Sequence, residues 1–370
     1  MKPKKNNVVI IGGGIVGSLL ALVLGLNGLK VTIIDRQNRE KLYSNSNNIK
    51  SYALNEGSRR LFNVLKIWEI IKKNSQPISK IILRQGSSIS SIQPFELCFT
   101  NDKEKNDHIF NMIEEIYLKK AILDKISTCS NIEYLHSRFV IDQKQDSFFT
   151  ELILDNGMRI NSDLVVGSDG YPSFSASHAK IKHFNHNYNQ SSLVGIFGHQ
   201  IPHNNEAFQF FFPSGPLAVL PLPGNRSSFV WTMESNEAKR KFDLNSFLFL
   251  EELDQLFQNS MGKLELEGQK YIFPISLALS KKIVKEKFVI IGDTAHKIHP
   301  IAGQGLNLGI RDVAALAEVL ICARRLGEDI GSKLVLDRYA KWRNLDILSL
   351  VIFTNFANKI FTNENYLIQL

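Results

Sequence analysis

The chain has 370 residues, 44% of them hydrophobic, and a formal net charge of +8, enough length for two domains around large cores. The positive charge is spread rather than gathered into a long run, and no helix-turn-helix, zinc or aromatic RNA-binding signature accompanies it; nucleic-acid binding is left without support, while anionic lipid or a phosphorylated cofactor stays compatible. Cys98, Cys129 and Cys322 lie far apart and form no Cys-x-x-Cys, which argues against a disulfide framework or a zinc site and for a reducing compartment.

Lys2, Lys4 and Lys5 precede a nearly uncharged stretch from Val8 to Gly28, a pattern that imitates a signal peptide or membrane anchor. Glycine placement argues otherwise. Val8 to Ile11 reads as a buried strand, Gly12-Gly13-Gly14-Ile15-Val16-Gly17 is a Gly-x-Gly-x-x-Gly, and Ser18 to Asn27 reads as a helix stopped by Gly28. A second strand from Lys30 to Ile34 ends at Asp35, at the usual distance of about 20 residues for a carboxylate that binds ribose hydroxyls. Gly12 permits the turn, Gly14 admits a pyrophosphate and Gly17 lets helix pack on strand.

Asn38 to Asn48 reads as a polar loop, and Glu56 to Ile71 as one helix with Leu61, Leu65 and Trp68 at helical spacing. Ile78 to Phe99 reads as strands broken at Gly86 and Pro94, and Ile113 to Cys129 as helix, with Leu118, Ala121, Ile122 and Ile126 on its buried face. Paired strands are expected from Ile132 to Asp155, and a further strand ends at Asp169-Gly170, a dipeptide that also makes ordinary turns. Leu193 to Gln200, Ala207 to Phe212, Pro216 to Leu222 and Ser227 to Thr232 have strand patterning. Phe208, Phe210, Phe211 and Phe212 either line an apolar ligand cavity or form a plain sheet core. Lys239 to Leu264 reads as helix, and Tyr271 to Ile275 as strand.

The run Phe288 to Asp312 is the most informative. Phe288 to Ile291 is a short apolar strand stopped at Gly292, with Asp293 just past its end, where open α/β sheets meet their ligands. Pro300 to Asn307 carries Gly303 and Gly305 into a helix from Leu308 to Leu320, whose start presents free N–H groups and a positive dipole end. A flavin ring that gains negative charge at its pyrimidine edge on reduction suits that field. His296 and His299 are three apart with no third ligand nearby, so no metal site is expected. After Asp337 the chain reads as helical, with an apolar-rich segment from Ile347 to Phe361. Packing on the rest of the protein is its expected role, with contact to a membrane or partner as the alternative.

Gly292-Asp293, Ala295-His296, Pro300 and Gly303-Gln304-Gly305-Leu306-Asn307, read with the N-terminal glycine motif, resemble the flavin-dependent aromatic hydroxylases of ubiquinone biosynthesis, a branch of the para-hydroxybenzoate hydroxylase-like family. Phe212 to Leu222 and Val230-Trp231 match that branch more closely than others. The resemblance implies an α/β fold, a Rossmann-like FAD-binding domain with a mainly β substrate domain. It places the FAD-binding domain at residues 1–75, 106–177 and 281–345, the substrate domain at 76–105 and 178–280, and a helical tail at 346–370. FAD contacts would come from Gly12, Gly14, Gly17, Asp35, Lys50, Asp169, Asp293, Pro300, Gly303, Gly305, Leu306 and Asn307, and His296 would belong to the flavin loop. NAD(P)H would reduce the FAD, and a flavin C4a-hydroperoxide would hydroxylate a polyprenylated phenol. No catalytic base is identifiable from the sequence.

Five departures stand out. Lys50 replaces an arginine and Asn48 an aspartate, Glu115 follows Glu114 where asparagine is common, Ala176 replaces an arginine of the second flavin motif, and the chain stops early, so that a terminal helix is expected to be missing. Lys50, Ala176 and the short tail motivate one alternative, a flavin-binding, non-catalytic subunit of a biosynthetic complex; a FAD monooxygenase of a soluble aromatic is the other. The expected location is cytoplasmic, with peripheral contact to the inner membrane left open.

Overall fold

The computed structural model describes residues 4–38, 49–86, 92–100, 108–146, 148–257, 260–299 and 303–361. Pro300 and Asn48 lie outside them, as do most of the polar loop expected from Asn38 and the end of the tail.

Strands Phe288–Ile290, Arg159–Gly167, Lys4–Ile11, Val31–Ile34 and Ile132–Leu135 form, in that order, a parallel sheet. A hairpin, Val140–Gln145 and Thr150–Leu154, adds to it antiparallel through Arg159–Gly167. The helix Ile15–Leu26 packs against the helices Gln304–Arg325 and Glu115–Ser127, with ten of its residues buried. This burial accounts for the uncharged N-terminal stretch, since a helix covered on all sides must be apolar all round. Among the described residues no helix is long and apolar enough to cross a membrane.

A second sheet of eight strands runs from His296–Lys297 through Leu264–Ser280, His183–His199, Arg226–Glu234, Gly215–Leu222, Glu206–Phe212 and Lys80–Gly86 to Ile92–Thr100. It is antiparallel apart from the Glu206–Phe212 and Lys80–Gly86 pair. The helices Ser235–Asp243 and Ser246–Phe257 cover one face, and alternate residues of the strands bury against them. Phe208 and Phe210 meet Phe257 edge to face at 5.3 and 5.7 Å, and Phe212 packs near Trp231. These three phenylalanines are therefore sheet core beneath the helices. The cavity-lining option applies at most to Phe211, whose side chain alternates to the other face.

A small antiparallel sheet, Ser51–Leu54, Phe110–Glu114 and Ser75–Ile78, lies between the two large ones. Ala53, Ile78 and Met112 from it pack with Ile196, Ala207 and Leu222 of the second sheet. Arg226 adds an ionic tie, with Nη1 and Nη2 at 3.1 and 3.2 Å from the buried Glu114 carboxylate and Nε at 2.6 Å from Glu267.

Three helices differ from their sequence reading. Residues 110–114 are strand and the helix begins only at Glu115. The Glu56–Ile71 run breaks into Glu56–Val64 and Trp68–Ile71 at Lys66, which adopts φ 56°. Lys239 to Leu264 is broken at Leu244, where Asn245 Oδ1 accepts the Leu248 N–H at 2.9 Å and starts a new helix. The C-terminal helix Lys333–Phe361 is continuous, with no break near residue 346.

Candidate active site

The carboxyl ends of the parallel strands open into a cavity of about 480 Å³, a size typical of cofactor sites. Gly12 and Gly14 from the first turn, Asp35 from the second strand, Asp169 and Gly170 from the second motif, and Gly292, Asp293, Gly305 and Leu306 from the long C-terminal motif all line it. Three segments separated by more than a hundred residues each thus share one space.

The first turn is dictated by close approach. Gly12 has φ 106°, and a Cβ on it would lie 2.3 Å from the Ser168 carbonyl oxygen; one on Gly17 would lie 2.1 Å from the Gly12 oxygen. Gly17 therefore sits behind the turn, holding helix to strand. Gly14 differs, because a Cβ there would meet nothing within 4 Å and would enter the cavity. Asp35 braces the turn, accepting the Gly13 N–H at one oxygen and the Gln37 N–H at 2.6 Å at the other.

Asp169 borders the cavity, yet its carboxylate is engaged locally. It accepts the Ser173 and Ser175 hydroxyls at 2.7 Å each and the Ser175 N–H at 2.9 Å. Thr294 Oγ1 accepts the Gly170 N–H at 2.9 Å and joins the second motif to the turn that carries Asp293. Ala176, where the family pattern has arginine, is buried and donates its N–H to Ser173 Oγ at 2.9 Å.

Gly303 adopts φ 60° and caps the helix Gln304–Arg325, which has no side-chain cap and no acidic residue in its first turn. The helix Ile15–Leu26, capped by Gly14, also has neither. Two helix N-termini without a side-chain cap therefore border one cavity, through Ile15 and Val16 on one side and Gly305 and Leu306 on the other. A Cβ on Gly305 would also meet open space. This arrangement suits a ligand with a pyrophosphate and a second electron-rich group, so the residues present fit FAD.

Asn307 does not line the cavity. Its fully buried amide accepts the Asn55 N–H at 3.1 Å and the Ser58 hydroxyl at 2.7 Å, and donates to the Ala53 carbonyl at 2.7 Å, fixing the helix start against the small sheet. Lys50 is also outside it, exposed, with Nζ 5.9 Å from the Phe273 ring.

Behind the turn that carries Asp293 lies a fully buried ionic node. Asp312 accepts the Gly292 N–H at 2.9 Å, His296 Nε2–H at 2.6 Å and Arg343 Nε–H at 2.7 Å. Burial disfavours a charged His296, but the Asp312 carboxylate outweighs it and raises the imidazole pKa. Burial alone would raise Asp312, and His296 with Arg343 holds it below the usual carboxylate range. His299 is different: burial pushes its pKa down to about 4, and its Nε2 lies 3.3 Å from Gln190 Oε1. It is neutral at physiological pH.

Tyr52, Glu115, Lys119, Arg36 and Arg138 also line the cavity, and sequence reasoning had singled out only Glu115. Lys119 Nζ lies 3.0 Å from Glu115, and the Glu115 carboxylate is in turn within reach of the Tyr52 hydroxyl. Burial, then Glu115 and Asp293, raise the Tyr52 phenol well above its ordinary value. The extra carboxylate is thus neutralised by a lysine one helical turn on, a pairing readable as i, i+4 spacing. Arg36 sits 5.7 and 5.9 Å from the Phe139 and Phe174 rings; nothing local in the sequence announces that.

The chain matches the family model described as FAD binding domain over residues 5–351. It is 32% identical over 361 residues to a ubiquinone hydroxylase, UbiL, of Rhodospirillum rubrum, covering 98% of this chain and 83% of that one. It is 25% identical to the mitochondrial ubiquinone biosynthesis monooxygenase COQ6 of Dictyostelium discoideum, covering 97% and 85%. Among solved structures it superposes on Pseudomonas aeruginosa PqsL with TM-score 0.84 at 19% identity, covering 97% of both chains. With p-nitrophenol 4-monooxygenase PnpA of Pseudomonas putida the TM-score is 0.78 at 18% identity, covering 99% and 92%. The fold is that of the para-hydroxybenzoate hydroxylase-like flavoproteins, and the chain belongs to the FAD binding domain family as a FAD-dependent monooxygenase.

Proposed function

We propose that this enzyme hydroxylates the aromatic ring of a polyprenylated phenol intermediate of ubiquinone biosynthesis; its relatives are named a ubiquinone hydroxylase and a ubiquinone biosynthesis monooxygenase. The observation that carries the reading is the meeting of the three motifs, with two uncapped helix N-termini, around one cavity. One oxygen atom of dioxygen enters the ring as hydroxyl and the other leaves as water, with two electrons supplied by NAD(P)H. FAD, when bound, accepts those electrons and activates dioxygen.

The chain's own part is binding, orientation and exclusion of water. We assign Asp35 to the ribose of FAD, the N–H groups after Gly14 to its pyrophosphate, Asp293 to its ribityl hydroxyls, and the N-terminus of Gln304–Arg325 to the flavin edge that gains charge. Gly12 and Gly17 shape the turn and Asp169 holds the second motif's loop. Gly303, Leu306 and Asn307 set the position of the helix start. Lys50, on this reading, acts at the substrate side beside Phe273, and Pro300 remains with the flavin loop.

The face of the second sheet turned away from Ser235–Asp243 and Ser246–Phe257 forms the substrate wall. On it Ser192 Oγ and Thr232 Oγ1 lie 2.7 Å apart, and Ser228 Oγ lies 2.9 Å from Ser51 Oγ of the small sheet, so these hydroxyls satisfy one another. The parallel sheet and the second sheet would correspond to FAD-binding and substrate domains with the boundaries given above. A lipid substrate of this kind is met at a membrane surface.

Purified, FAD-loaded protein should consume NAD(P)H and dioxygen with a prenylphenol and yield a product one oxygen heavier. Full flavin occupancy with no prenylphenol turnover would overturn the assignment.

A further inference from the structure

The C-terminal helix Lys333–Phe361 is apolar on two sides, and the protein covers only one. Val335, Leu336, Tyr339, Ala340, Ile347 and Val351 are buried. Leu334, Leu345, Leu348 and Ile352 are 73, 76, 50 and 59% exposed, and Trp342 is 52% exposed at the edge of the same stripe. At about 3.6 residues per turn these five project from one side of the helix and span about 27 Å of its length. Asp337, Arg338 and Lys341 lie among them on the same side, so the exposed face is a stripe of apolar residues interrupted by charges.

The charges along it decide what fits. Asp337 is neutralised by Lys333 at 2.5 Å, Asp346 by Arg311 at 2.5 Å and by Arg343, and Arg338 by Glu328 at 2.6 Å. Lys341, exposed in the middle of the stripe, makes no ion pair among the described residues, since Asp337 one turn before it is paired with Lys333. The stripe is therefore apolar with a net positive charge, on a chain whose formal net charge is +8. A second copy is a poor occupant, because antiparallel pairing about the stripe's midpoint would bring Lys341 within about one helical turn of its own mate. A bilayer suits it better: leucine and isoleucine enter the acyl boundary, tryptophan sits at the interface, and lysine reaches anionic headgroups.

We propose that this face of the C-terminal helix lies on the surface of an anionic lipid bilayer. The inference rests on the prenylated-substrate reading for its purpose, though not for its geometry. Ile347 and Val351, on the buried side, pack with Ile298 and Leu308, which flank the flavin loop. Docking would bring the lipid surface to within about one helix diameter, about 10 Å, of Ile298 and Leu308.

The test is co-sedimentation of the FAD-loaded full chain with vesicles of phosphatidylcholine with and without phosphatidylglycerol. The wild type should pellet with the anionic vesicles. Leu345→Ser with Leu348→Ser should lower that partition at least about tenfold, while keeping the flavin absorbance and the turnover of a short-chain prenylphenol in solution. Lys341→Glu should lower binding to anionic vesicles and leave binding to neutral ones unchanged. Absence of vesicle binding in the wild type, or binding unaffected by the double substitution, would overturn the proposal. So would a wild-type dimer by light scattering that the double substitution dissociates without any vesicle binding. Vesicle binding as described with no hydroxylation of any prenylphenol would uphold the surface and defeat the substrate reading; the reverse result would do the opposite.

Discussion

At the scale of single residues, Gly14 and the two histidines of the flavin loop separate cofactor binding from stability. Gly14 faces open cavity, so a side chain there collides with cofactor and with nothing in the protein. Gly14→Val should lower FAD affinity on the order of 100-fold, about 2.8 kcal/mol, with the thermal unfolding of the apoprotein little changed; flavin fluorescence titration measures the first and calorimetry the second. His299, neutral and buried, has a folded-state pKa of about 4 against an ordinary 6.5. As pH falls below 6.5 the unfolded chain takes up a proton that the folded one refuses until about pH 4, so this group's contribution is complete above pH 6.5 and is lost towards pH 4. His296 has the opposite sign: its pKa is raised by Asp312, and its contribution is complete below 6.5 and lost as pH rises through the folded value. His299→Asn should flatten the acid limb of urea stability between about pH 6.5 and 4, leaving the alkaline limb in place. An unchanged acid limb would refute the burial argument.

At the scale of elements, what the sequence disclosed depended on whether local periodicity carried the information. The strand, glycine turn and helix from Val8 to Gly28 were legible because the whole unit is contiguous, and so was the motif from Phe288 to Asp312. Residues 110–114 were not. Their burial comes from being the middle strand between Ser51–Leu54 and Ser75–Ile78, a long-range pairing that helical spacing from Ile113 onward obscured. Lys66 breaks its helix with a positive φ normally given to glycine or asparagine, which no local rule announces, whereas the Asn245 cap was readable and missed. In the site, glycines and Asp293 were legible by motif. Arg36, Tyr52 and Arg138 were not, because only the fold brings them to the cavity wall. The phenylalanine strand shows the limit of alternation: it divides Phe208, Phe210 and Phe212 from Phe211, without saying which face meets helices. Since the three are core, Phe210→Ala should destabilise the protein by about 3–5 kcal/mol in denaturant unfolding and leave FAD affinity within about twofold. A selective loss of substrate binding with stability intact would return that residue to the cavity.

At the scale of the whole molecule, the two large sheets are joined through the small one and by Arg226, Asn307 and the Asp312 node rather than by a single core. The node reaches into the C-terminal helix through Arg343, so the element proposed to touch lipid is also the one that steadies the flavin loop.

The central claim is that three distant segments enclose one FAD, and backbone amide hydrogen exchange with and without FAD tests it most directly. FAD should slow exchange together in residues 11–17, 168–170 and 292–306, and leave the helices over the second sheet, 235–257, unchanged. Slowing confined to the first segment, or a protein that takes up no flavin, would contradict the account.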